Sequence, residues 1–81
     1  MITAYVLINC DLGAEEKIYS ELKSINKIKE THGVFGAYDI ITKIEASSVA
    51  LIKDIIATKI RPIDRIRSTL TLMGNEKEKQ D

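Results

Sequence analysis

The sequence predicts an α+β domain of two helices and four strands in the order βαββαβ, and three observations carry that expectation. Short β-branched runs alternate with two segments whose apolar residues recur at helical spacing. Right-handed crossovers then place both helices on one face of a four-stranded antiparallel sheet of order 4-1-3-2, the ferredoxin-like arrangement. The strands that this topology makes central, the first and third, are also the apolar ones.

Residues 2–10, ITAYVLINC, are β-branched and aromatic and too short for a typical helix. Ile2, Ala4, Val6 and Ile8 point one way, and Thr3, Tyr5, Leu7 and Asn9 the other. Apolar groups on both faces predict a central strand covered on two sides. Asp11-Leu12-Gly13 breaks the strand, and a helix follows over residues 14–24. Ala14, Ile18, Leu22 and Ile25 form its apolar stripe. Glu15 and Glu16 sit in the first turn, where carboxylates suit the positive end of the helix dipole.

Residues 27–34, KIKETHGV, read as a polar edge strand, since lysine and glutamate protect sheet edges. Residues 35–37 form a turn, and residues 38–45, YDIITKIE, the third strand, with Tyr38, Ile40, Thr42 and Ile44 on one face. So short a connection requires an antiparallel hairpin. A serine N-cap in Ala46-Ser47-Ser48 opens the second helix, whose buried stripe is Leu51, Ile52, Ile55 and Ile56. Pro62 ends that helix near Arg61. The last strand, residues 66–73, separates Ile66, Leu70 and Leu72 from Thr69, Thr71 and Met73. Residues 74–81, GNEKEKQD, are expected to be a disordered tail. Since both helices share one face, apolar groups remain on the other, and such a patch marks association.

The chain of 81 residues makes one domain. At that size only roughly 60% of the unfolded chain's surface is buried, so a partner that covers more apolar area is favourable. Twelve basic residues balance twelve acidic ones, without the excess of positive charge that nucleic-acid binders carry. The single cysteine, Cys10, excludes an intramolecular disulfide and a cysteine metal cluster within one chain. It reads as a small buried hydrophobe, and the absence of a disulfide framework points to the cytoplasm. No run reaches the ~18 apolar residues of a membrane helix, and no secretory signal is evident.

Catalytic machinery is not expected. His32, the only histidine, lies on the edge strand with no nucleophile set around it. Asp11, Glu15 and Glu16 are explained by a helix start, and neither a metal nor a cofactor is expected. Lys59, Arg61, Arg65 and Arg67 read as a helix end and a solvated strand face. RNA-recognition motifs share this topology and stack bases on aromatics of the central strands. Here Tyr5 and Tyr38 would serve, and GVFGAY over residues 33–38 echoes part of their signature. His32 replaces the basic residue, however, and Asp39 adds a repelling carboxylate. Two readings of the hairpin stand side by side. Gly36 permits positive φ, and free backbone N–H groups beside Asp39 suit a zwitterion. Alternatively, Gly36 makes the turn and Asp39 caps it.

The segment IKETHGVFGAYDIITKI, residues 28–44, resembles the effector-domain signature of Lrp/AsnC-type transcription regulators. Val34, Gly36 and Asp39 match that signature, with Phe35 where threonine is usual. IRSTLTL at residues 66–72 resembles the family's final strand, and Pro62 matches the proline ending the second helix, although Ile63 replaces the following glycine. The first strand begins at Ile2, so the chain looks like a stand-alone RAM domain over residues 1–73 without a DNA-binding domain. The resemblance implies protomers paired through their sheets and dimers assembling into a ring, an octamer or similar, with a small amino acid bound near the hairpin. It implies a pocket of Phe35, Gly36, Ala37, Tyr38 and Asp39, with Ser68 and Thr69 as further candidates. It also implies indirect action on transcription, without direct DNA binding, through mixed assembly with full-length Lrp-like regulators. The alternatives are an ACT-like amino-acid-binding domain, an RNA-binding module of RRM-like topology and a small enzyme of dimeric barrel type.

Overall fold

A computed structural model describes residues 1–74. The predicted tail, beyond Gly74, lies outside the described residues. The elements are β1 (Ile2–Cys10), α1 (Glu15–Lys23), β2 (Ile28–Gly33), β3 (Ile40–Ala46), α2 (Val49–Ile55), a π-helical turn (Ile56–Ile60) and β4 (Ile66–Met73). The strands form one antiparallel sheet in the order β2-β3-β1-β4, as the crossover argument predicts.

The core lies between the sheet and the helices. Ala4, Val6 and Ile8 of β1 are fully buried, together with Ile44 of β3, Ile18 and Leu22 of α1, and Ile52 of α2. The predicted stripe of α1 is therefore its buried face. Ser48 caps α2, its side chain accepting from Leu51 N at 3.1 Å. The chain then departs from the α-helical path that the sequence suggests. Arg61 N donates to Ile56 O at 2.9 Å, and this wider turn keeps both Ile56 and Ile60 in the core before Pro62 stops the helix.

Three further expectations need correction. Tyr38 lies before β3, not in it, because residues 34–39 form a longer loop in which Val34 N donates to Asp39 O at 2.9 Å. Ile66 does not share a face with Leu70 and Leu72. A bulge pairs Cys10 with Ile66 but Asn9 with Ser68, which skips Arg67 and turns Ile66 into the core. Finally, β1 is covered on one side only within the protomer, since both helices pack against the same face.

On the open face, pairing sets out rows across the sheet. His32, Ile41, Leu7 and Leu70 make one row, and Glu30, Lys43, Tyr5 and Leu72 the next. Tyr5, Leu70 and Leu72 are 39%, 45% and 50% exposed, so the β1–β4 half is apolar and wet. The β2–β3 half is charged, with Lys43 3.7 Å from Glu30 and 3.6 Å from Glu45. His32 and Lys43 hold the Glu30 carboxyl below its usual range, and Glu30 in turn raises Lys43.

The core argument predicts that Ile44→Ala lowers stability by about 2–5 kcal/mol in urea unfolding, through lost burial and a residual cavity. Val49→Ala, at an exposed helix start, changes it by no more than about 0.5 kcal/mol.

Candidate functional site

The chemistry-bearing residues gather where β1 ends and β4 begins. Asp39 is the link. Its backbone N donates to Ile8 O at 2.9 Å, and its Oδ2 accepts from Cys10 N at 3.0 Å. Cys10 N points toward β3, as Ile8 does, but β3 begins only at Ile40, so Cys10 N has no ladder partner there and the carboxylate supplies one. The other oxygen of Asp39 accepts no hydrogen bond among the described residues.

Two clefts share Asp39. The first, about 490 Å³, is lined by Asn9, Cys10, Asp39, Arg67 and Ser68. Asn9 Nδ2 donates to Ser68 Oγ at 3.4 Å across the β1–β4 pair. A carboxylate, a guanidinium, an amide and a hydroxyl thus converge on one small space. The second, about 450 Å³, lies on the α1 side, where Glu15, Glu16 and Asp39 face Tyr19, Val34 and Phe35.

A further carboxylate organises the rim. Asp11 N donates to Arg65 O at 3.0 Å, while the Asp11 side chain lies 3.4 Å from Arg65 Nε and 3.9 Å from Arg67 Nε. Arg65 has φ +75°, a left-handed conformation that β-carbon sterics disfavour, and these contacts to Asp11 hold it there. Cys10 is buried; burial, then the Asp39, Glu15 and Asp11 carboxylates, push its thiol pKa up, which suits a packing group and not a nucleophile.

The structure thus divides the sequence-predicted residues. Asp39 and Ser68 meet in the first cleft, and Asp39 and Phe35 in the second. Gly36, at φ +121°, shapes the loop as expected but lines neither cleft, and the same holds for Ala37 and Tyr38. Thr69 pairs with Ile8 and so faces the helices, in a different cleft. The sequence reading missed Asn9, Arg67 and the role of Asp11. Their one signal was the run Asn9-Cys10-Asp11 closing the first strand. The aromatic platform of an RNA-recognition motif is not formed, since Lys43, not Tyr38, stands beside Tyr5. Among the described residues, no group of three or more histidine, cysteine or acidic side chains is set to hold a metal, and no helix is long and apolar enough to cross a membrane.

Residues 3–81 match the family model of the Lrp/AsnC ligand binding domain. The regulatory protein AsnC of Haemophilus influenzae is 36% identical over 59 residues, which cover 73% of this chain and 39% of that protein. The chain spans less than two thirds of the length of the curated relatives it matches. A hypothetical protein of Pyrococcus horikoshii superposes with a TM-score of 0.87 at 31% identity, covering 93% of this chain and 90% of that one. A transcriptional regulator of Neisseria meningitidis, solved as its L-Met complex, shares the fold with a TM-score of 0.85 at 8% identity, over 96% of this chain and 52% of that one.

The double duty of Asp39 gives a separable prediction. Asp39→Asn keeps an oxygen to accept from Cys10 N, so the thermal midpoint stays close to that of the parent. Asp39→Ala leaves that part-buried N–H unpaired and lowers stability by about 1–3 kcal/mol in denaturant titration.

Proposed function

The chain belongs to the Lrp/AsnC ligand-binding domain family, and from that premise we propose that it is an amino-acid-binding effector and oligomerisation module. It modulates transcription indirectly, through assembly that depends on the ligand. The observation that carries this reading is that Asp39 and Arg67 line one cleft together with Asn9 and Ser68. A free amino acid is a zwitterion. Asp39 takes the ammonium, Arg67 takes the carboxylate through its planar donor fork, and the amide and hydroxyl complete the set. The ligand's side chain extends past the loop, where Phe35 stands fully exposed. The Neisseria regulator's L-Met complex, on the same fold, supports an amino acid as the ligand class.

The assembly half of the proposal rests on the open sheet face. Tyr5, Leu70 and Leu72 lie beside the half-buried Leu7 and Ile41, in a layer that nothing in the protomer covers. A second copy placed sheet to sheet buries them, and dimers then join through their loop ends into a ring. Full-length regulators carrying the same domain are the natural partners for mixed assembly, in the cytoplasm. Ligand changes the assembly only by binding one state more tightly than another.

Calorimetric titration with the common amino acids tests the ligand. At least one is expected to bind saturably, with Asp39→Asn and Arg67→Gln each weakening it roughly tenfold or more, the usual cost of losing a charged hydrogen-bond partner. Absence of heat with every amino acid, and of any change in light scattering, sinks the reading.

Assembly has its own check. Leu70→Asp puts a charge in the apolar half of the open face and is expected to yield folded monomers by light scattering. An unchanged oligomer rules out this face as the contact.

A further inference from the structure

Two of the basic residues that read in sequence as a helix end and a solvated strand face, Arg61 and Arg67, line a groove together with Lys53. On the helix side of β4 runs a groove made of two clefts, about 370 Å³ and about 320 Å³, which meet at Arg61. Arg67, Ser68 and Thr69 line one part, and Lys53 and Thr71 the other. Among the described residues no carboxylate lines either. In a chain whose charges balance overall, three cations thus share a groove with the hydroxyls of Thr69 and Thr71 and, among the described residues, no acid. Arg61 and Lys53 take part in no ion pair among the described residues, and Arg67 reaches Asp11 only at 3.9 Å.

The backbone supports the same reading. Thr69 and Thr71 pair with Ile8 and Val6, whose side chains are buried, so both hydroxyls lie on the helix face of the edge strand. The π-helical turn inserts one extra residue before Arg61, and such turns gather at functional positions. It sets Arg61 where the two clefts join.

We propose that this groove binds the phosphate group of a small phosphorylated ligand, with Arg61 as the central cation. Guanidinium and hydroxyl donors around one point suit a tetrahedral oxyanion, which offers acceptors in several directions, better than a planar carboxylate. No aromatic residue lines the groove, so it lacks the stacking surface of a single-stranded nucleic-acid site. Each cleft is of small-molecule size, and an anion there offsets the charges of Arg61 and Lys53, which have no ion-pair partner among the described residues. The site stands apart from the amino-acid cleft in its key residues, Arg61 and Lys53, and touches it only through Arg67 and Ser68.

The full chain is titrated with sodium pyrophosphate, the ionic strength held constant with chloride, and followed by amide NMR and thermal shift. Saturable binding is expected, with the largest amide changes at Arg61, Thr69 and Thr71 and an upward shift of the thermal midpoint. Arg61→Gln and Lys53→Gln are each expected to weaken it roughly tenfold, while Arg61→Lys keeps part of the affinity. Asp39→Asn leaves it unchanged, so this result stands or falls separately from amino-acid binding. Non-saturating shifts, tighter binding of citrate than of pyrophosphate, or equal binding by the parent and Arg61→Gln would overturn the proposal.

Discussion

Everything in this domain follows from the burial of one side of β1. Ala4, Val6 and Ile8 have no contact with water, and the helices and neighbouring strands are arranged to keep it so. Two helices suffice to cover one face of a four-stranded sheet. They cannot also cover the other. The chain therefore pairs a dry side with a wet one on the same strand, and Tyr5 and Leu7 meet solvent beside residues of a sealed core. A protomer of this thickness carries an exposed apolar surface as a by-product of its own folding.

Within that frame, Asp39 is a small part with two tasks. It comes at the end of a loop, yet its backbone reaches β1 at Ile8 and its carboxylate at Cys10. The carboxylate that partners Cys10 N is thereby fixed in place by the sheet itself, without needing a rigid loop. A ligand that used its remaining oxygen would meet a group already oriented, which lowers the ordering cost of binding. Asp11 does the corresponding work on the far strand, holding Arg65 in a conformation its side chain disfavours and keeping Arg67 close.

Strand order, helix positions and the buried stripes were legible because each depends on periodicity and polarity, which the sequence displays directly. Ile18 and Leu22, or Ile40 and Ile44, announce their faces by spacing alone. The departures share a different cause. A bulge at Asn9 and Cys10 and a π-helical turn at Ile56–Ile60 each shift the count by one residue, and no residue type marks such a shift. Ile66 was assigned to the wrong face for that reason. The candidate site was half legible. Asp39 and Ser68 are among the residues the family resemblance implies, but Asn9 and Arg67 come beside Asp39 only through antiparallel pairing across the length of the chain. The hairpin residues Gly36, Ala37 and Tyr38 are implied by the same resemblance, whereas the cleft is lined by what the sheet end brings together.

The bulge has a consequence for how this strand can change. An unbroken antiparallel pair is free to slide, since a shift of two residues restores the same inward and outward faces. With one extra residue at Arg67, a slide that left the bulge opposite Asn9 and Cys10 would turn Ile66 out to the open face in one direction and Ser68 into the core in the other. The last strand is thereby keyed to the first like a notched ruler, and an insertion or deletion between Pro62 and Ile66 must be taken up in the connection. The spacing of Arg67 from Asp39 is then inherited from the fold, and sequence drift at the surface can alter the lining of the cleft without moving where it is.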